Sequence, residues 1–107
     1  MKSIFENLCI TTSQLKELHK VGYNTYFRNI NIVEDWLFRK HNIVLAQFFI
    51  GSAHANILCK CVVRKFNAKK GIFEPIGASK LSYNPQVPKR WCINKAIKYL
   101  KNQTCKT

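Results

Sequence analysis

Acidic residues are scarce in this chain: five Asp and Glu stand against eighteen Lys and Arg among 107 residues, a formal net charge of +13. Long apolar runs are absent as well. The longest, Ile43 to Ile50, has the length of a strand and contains Gln47, far short of the ~20 apolar residues a membrane-spanning helix needs. No membrane association is expected. The opening residues, Met-Lys-Ser-Ile-Phe-Glu-Asn, lack the apolar stretch of a secretory signal, so the chain is expected to remain in the cytoplasm of the cell that makes it. Internal repeats are also missing, and the length suits one domain spanning residues 1–107 with one modest core.

The scarcity of acids limits chemistry. Two of the five, Glu34 and Asp35, fall in the first turn of a predicted helix, where the helix dipole already accounts for them. No carboxylate pair suited to acid–base work remains. The four glycines form no phosphate-cradling loop, and no nucleophile-elbow pattern occurs. The chain is therefore not expected to be an enzyme or to need a cofactor. Its five cysteines are odd in number, and Cys59 and Cys61 lie too close along a strand for a comfortable disulfide, which argues for reduced thiols. With Cys9, Cys92, Cys105 and three histidines they supply zinc-ligand types. Cys-x-Cys is not the usual knuckle spacing and no second pair matches it, so burial as small hydrophobes is expected and no metal.

What is present is an ordered series of amphipathic elements. Thr11 caps a first helix, Gln14 completes a capping box, Ile10 can staple onto Leu15, and Gly22 ends the helix in a left-handed turn. Tyr23 to Ile30 reads as a short strand or an ordered connector. A second helix is capped at Asn31, has Glu34 at its third position, and stops at Asn42. Its apolar stripe is Val33, Trp36 and Leu37, with the Lys40 stem at its edge.

Ile43–Ile50 and Ala55–Phe66 read as antiparallel strands joined by a four-residue link, Gly51-Ser-Ala-His54. Ile57, Cys59, Cys61 and Val63 mark a wholly apolar face of the second strand, expected to be covered by helices; Leu58, Lys60, Val62 and Arg64 mark a mixed one. A turn at Asn67–Gly71 leads to a third strand, Ile72–Ile76, confined to an edge by Pro75, and then to a long exposed loop from Gly77 to Pro88. A last helix runs from Pro88 or Lys89 to about Asn102, burying Cys92, Ile93, Ala96, Ile97 and Leu100. The expected fold is α+β, in the order α-(β)-α-β-β-β-α, with a small antiparallel sheet of about three strands packed by two to three helices.

The charge is concentrated. Lys60 to Thr107 holds twelve of the eighteen basic residues and one acid, Glu74, which is +11 of the total +13. A one-signed field of this kind concentrates polyanions, so nucleic acid is the first partner to consider. The candidate contacts are Lys60, Arg64, Lys65, Lys69 and Lys70 at a strand end and turn, Lys80 in the loop, and Lys89, Arg90, Lys95, Lys98 and Lys101 on the last helix. Trp91 and Tyr83, with Tyr23, Tyr26 and Phe27 of the connector, are candidates for stacking on unpaired bases, whereas Trp36 and Phe48 are expected in the core. The same charge also suits an inhibitor or adaptor acting on an acidic host protein, and an exposed strand near Ile72–Ile76 suits pairing with a second copy as a homodimer.

Two resemblances follow from these elements. The capped helix Leu8–Gly22, the run Glu34-Asp-Trp-Leu-Phe-Arg-Lys-His-Asn-Ile43 from helix into strand, and the closing Ala96-Ile-Lys-Tyr-Leu100 resemble small uncharacterised phage and prophage proteins. That resemblance implies a mobile-element origin and no particular activity. From Asn31 to Leu100 the α-β-β-β-α order, with Gly51-Ser-Ala-His54, Gly77-Ala-Ser-Lys80 and then Lys89 and Arg90, looks like a double-stranded-RNA-binding domain. This second resemblance implies a histidine loop in a minor groove and lysines at the last helix's start on phosphates. The inserted Leu81–Pro88 departs from the compact lysine cluster of such domains.

Overall fold

Residues 9–51, 57–84 and 86–104 are described by the structure, a computed structural model. Three helices and three strands follow one another as α1 (Thr12–Lys20), α2 (Ile30–His41), β1 (Ile43–Ile50), β2 (Leu58–Asn67), β3 (Ile72–Ala78) and α3 (Gln86–Thr104). The strands form one antiparallel sheet in the order β1-β2-β3. This is the α+β fold expected from the sequence. No helix among the described residues is long and apolar enough to cross a membrane.

The helix ends show why these segments fold where they do. Thr11 and Gln14 form the capping box reciprocally, with Gln14 N–H donating to Thr11 Oγ1 at 3.1 Å and Thr11 N–H to Gln14 Oε1 at 3.0 Å. Val21 closes α1 and Gly22 follows at φ +104°, a conformation that side chains resist. The cap of α2 is Asn29 rather than Asn31: its side chain accepts from the Asn31 N–H at 2.8 Å, which puts Glu34 beyond the first turn. Two asparagines in the same stretch offered the same capping chemistry, and the chain pairing of Asn29 with Cys9 selects the earlier one. Asn42 ends α2 at φ 57°, as its tolerance of the left-handed region suggests.

Between the helices, residues 23–28 form a connector and no strand. Tyr23 is buried and donates its hydroxyl to the Phe27 carbonyl at 2.6 Å, while the Ile10 N–H donates to Arg28 O at 2.7 Å. β1 has the predicted bounds. β2 runs from Leu58, with Ile57 before it outside the strand; residues 52–56, which hold most of the link and the expected strand start at Ala55, lie outside the described residues. The β2–β3 turn is pinned by Asn67, whose Oδ1 accepts from the N–H groups of Lys69 and Lys70.

The largest departure is the segment after β3. The sequence reads as a loop from Gly77 to Pro88, but β3 continues to Ala78 and the chain stays bonded to β2 beyond it. Ser79 N–H donates to Cys61 O at 2.8 Å and the Cys61 N–H to Ser79 Oγ at 2.9 Å; Ser82 and Cys59 exchange two backbone bonds. Small polar residues supply those bonds without needing β-favouring side chains, which is why the pairing is hard to read locally. The last helix accordingly starts at Gln86, ahead of Pro88.

All three helices lie to one side of the sheet. Ile10, Leu18, Ile30, Val33, Leu37, Ile43, Val63 and Ile93 are fully enclosed between them, each large side chain contributing about 1.5–3 kcal/mol relative to exposure. Pro75 sits on the β3 edge as expected, opposite Arg64, and the register shift there leaves Ile76 as the extra residue of a bulge.

Candidate nucleic-acid interface

The acids decide which cations remain available. Asp35 pairs with Arg39 at 2.9 Å on α2. Glu34 of α2 pairs with Lys89 of α3 at 3.3 Å, both half-buried. Glu17 of α1 pairs with Lys20 and with Lys101 of α3. Glu74 accepts from the Asn67 amide at 2.8 Å. Arg90 donates through Nε to the Cys9 carbonyl at 3.0 Å. Lys89, Arg90 and Lys101 are thus the side of α3 that binds α1, α2 and the chain before α1.

The other side of α3 faces β3. A Cβ on Gly77 would lie 3.5 Å from Lys95 and 3.7 Å from Trp91, ordinary van der Waals distances, so α3 rests close on β3 here. Trp91 is half-buried against the core, with the Lys95 ammonium 5.0 Å from its ring centre. One turn on, Tyr99 holds Lys65 of β2 at 5.5 Å from its own ring centre. Two adjoining depressions of about 320 and 200 Å³ share Tyr99: one is lined by Lys65, Lys69, Asn67 and Glu74, the other by Ile76, Lys95, Lys98 and Asn102. The strand end and the last helix therefore line neighbouring depressions that share Tyr99, with four lysines and a single carboxylate among their walls.

The remaining candidates lie elsewhere. Lys60 and Arg64 project from the sheet face opposite the helices, Lys70 is exposed in the β2–β3 turn, and Lys80 is exposed just after β3. Lys60, Arg64, Lys69, Lys70, Lys80 and Lys98 make no ion pair among the described residues. Tyr83 is 67% exposed, so its ring is available. Of the residues behind the double-stranded-RNA-binding resemblance, Gly77 and Ala78 belong to β3, Ser79 is bonded to Cys61, Lys89 pairs with Glu34 and Arg90 donates to Cys9 O, while residues 52–54 lie outside the described residues.

One expectation is overturned. Phe48 is not in the core but 46% exposed on the outer sheet face, opposite Lys60. Its neighbours on that face, Phe66 and Phe73, went unnoticed in the sequence. The signal was present in the β2 alternation, since residues in phase with Lys60 and Arg64 share their face.

The thiols behave as core. Cys59, Cys61 and Cys92 are buried, and Cys92 Sγ donates to the Cys61 carbonyl at 3.2 Å. The hydrogen bond with Cys92, together with burial, pushes the Cys61 thiol well above its usual value. Among the described residues no group of three or more His, Cys, Asp or Glu could hold a metal ion. Comparisons with protein-family models, with curated proteins and with solved structures find no match.

Proposed function

We propose that the protein is a small cytoplasmic nucleic-acid-binding module that follows the phosphate backbone along the α3–β3 groove. The observation that carries this reading is the meeting of Lys65 and Lys69 with Lys95 and Lys98 around Tyr99, where Glu74 is the only acid. Cations distant in sequence converge on a concave surface while the remaining described acids are occupied elsewhere. Such a groove offers phosphates point charges without reading base edges, so little sequence preference is expected.

The test is fluorescence anisotropy with short labelled DNA and RNA, single- and double-stranded, at two salt concentrations. Binding should fall steeply with salt, and Lys65→Glu with Lys98→Glu should weaken it by roughly tenfold or more. Lys16→Glu with Lys40→Glu, the same total charge change on exposed residues of α1 and α2, should have a much smaller effect. No binding at low salt, or equal losses from both sets, overturns the reading.

A further inference from the structure

The sheet face opposite the helices has no element packed on it among the described residues. Its rows run from Ile50–Leu58 through Phe48–Lys60 and Ala46–Val62 to Val44–Arg64, and end at Phe66–Phe73. Phe48 and Phe73 are 46% and 52% exposed. At the far end Phe66 and Phe73 lie 5.1 Å apart between ring centres, and with Phe38, Val44 and Asn42 they line an apolar hollow of about 180 Å³. Between the aromatic ends stand Lys60 and Arg64, with Lys69 and Lys70 at the adjoining turn.

We infer that this face is a stacking platform for unpaired nucleobases, so that the nucleic acid bound is single-stranded; this rests on the reading of the chain as a nucleic-acid binder. A ring in the Phe38–Phe66–Phe73 hollow meets aromatic walls, with Val44 and Asn42 completing the lining. From Lys60 to Phe66 the strand extends about 20 Å, enough for two bases several nucleotides apart to lie on the separate aromatic ends with Lys60 and Arg64 beside the phosphates between them. A duplex presents base edges and not base faces, so it gains nothing from exposed rings.

Charge complementarity selects this occupant over a second copy of the chain. In a two-fold pairing the face meets itself, which would bring Lys60 and Arg64 of both copies into one interface with no described carboxylate on it. A polyanion carrying flat apolar rings satisfies both the cations and the phenylalanines.

The decisive probe is a single strand compared with an abasic strand of the same length and charge, bound to the wild-type protein. Stacking predicts that the abasic strand and the duplex both bind about tenfold or more weakly than the normal strand. Phe73→Leu, which keeps an apolar side chain but loses the ring, should reduce single-strand affinity severalfold and leave duplex binding unchanged. Equal binding of normal and abasic strands, or no effect of Phe73→Leu, overturns the platform while leaving the groove reading intact. Failure of every nucleic acid to bind removes both. A protein that is dimeric in sedimentation, and becomes monomeric with Phe73→Leu, assigns the face to a second copy and overturns the inference.

Discussion

The side-chain amide of Gln14 donates to Asn94 Oδ1 at 2.8 Å, joining two residues eighty positions apart. The same nitrogen donates to the Arg90 carbonyl at 3.0 Å, while Gln14 Oε1 accepts from the Thr11 N–H. One buried side chain therefore caps α1 and ties it to α3, the helix whose opposite side lines the lysine groove.

Gln14→Ala should destabilise the protein by about 2 kcal/mol, through loss of the capping-box bond and of the bonds to Arg90 O and Asn94 Oδ1 that tie α1 to α3. Gln14→Glu discriminates further. Glutamate suits a capping box in isolation, but here it has no N–H to give and sets a carboxylate against two acceptor oxygens. It should cost at least as much as alanine, read from urea unfolding midpoints; a neutral effect would show that the tie between helices contributes nothing.

Charge reversal should separate the two sides of α3. Lys89→Glu places a second carboxylate beside half-buried Glu34 and is expected to cost about 2–3 kcal/mol. Lys98→Glu on the exposed side should change stability by less than about 0.5 kcal/mol. Thermal melts of the two variants test the contrast, and equal melting temperatures would contradict it.

Stability should decline in mild acid because of His41. Burial first, then the nearby charges of Lys65 and Lys40, hold its pKa below the usual 6.5, and its Nε2 is buried with no hydrogen-bond partner among the described residues. As pH falls through 6.5 the unfolded chain takes up this proton before the folded one. The contribution is thus full above the usual value, falls as pH drops toward the folded pKa, and levels off below it. Unfolding midpoints between about pH 7 and pH 5 should drop more for the wild type than for His41→Gln.

Thiol accessibility should follow burial. At neutral pH iodoacetamide should modify half-buried Cys9 well before Cys59, Cys61 and Cys92, and all should react in urea. Mapping the alkylated peptides by mass spectrometry checks the order, and early labelling of Cys61 would contradict it.

Most of the framework was legible because its causes are local. The Thr11–Gln14 box, the Asn42 stop, the bounds of β1 and the buried stripe of α3 each depend on residues within a turn or on a simple period. The segment after β3 was not, since Ser79 and Ser82 join the sheet through bonds to Cys61 and Cys59, some twenty positions back.

The sequence by itself determined an α+β order, a basic C-terminal half and an apolar face on each amphipathic element. Only the tertiary structure decided which cations face water. Lys89 and Lys101 look like Lys95 and Lys98 in the chain, yet they meet Glu34 and Glu17 on distant helices, while Lys95 and Lys98 meet Lys65 and Lys69 around Tyr99. Likewise, alternation distinguishes the two faces of the sheet, but the helices choose which one to cover, and that choice left Phe48 and Phe73 outside. Both outcomes depend on contacts between elements far apart in sequence, where periodicity and composition carry no information about partners.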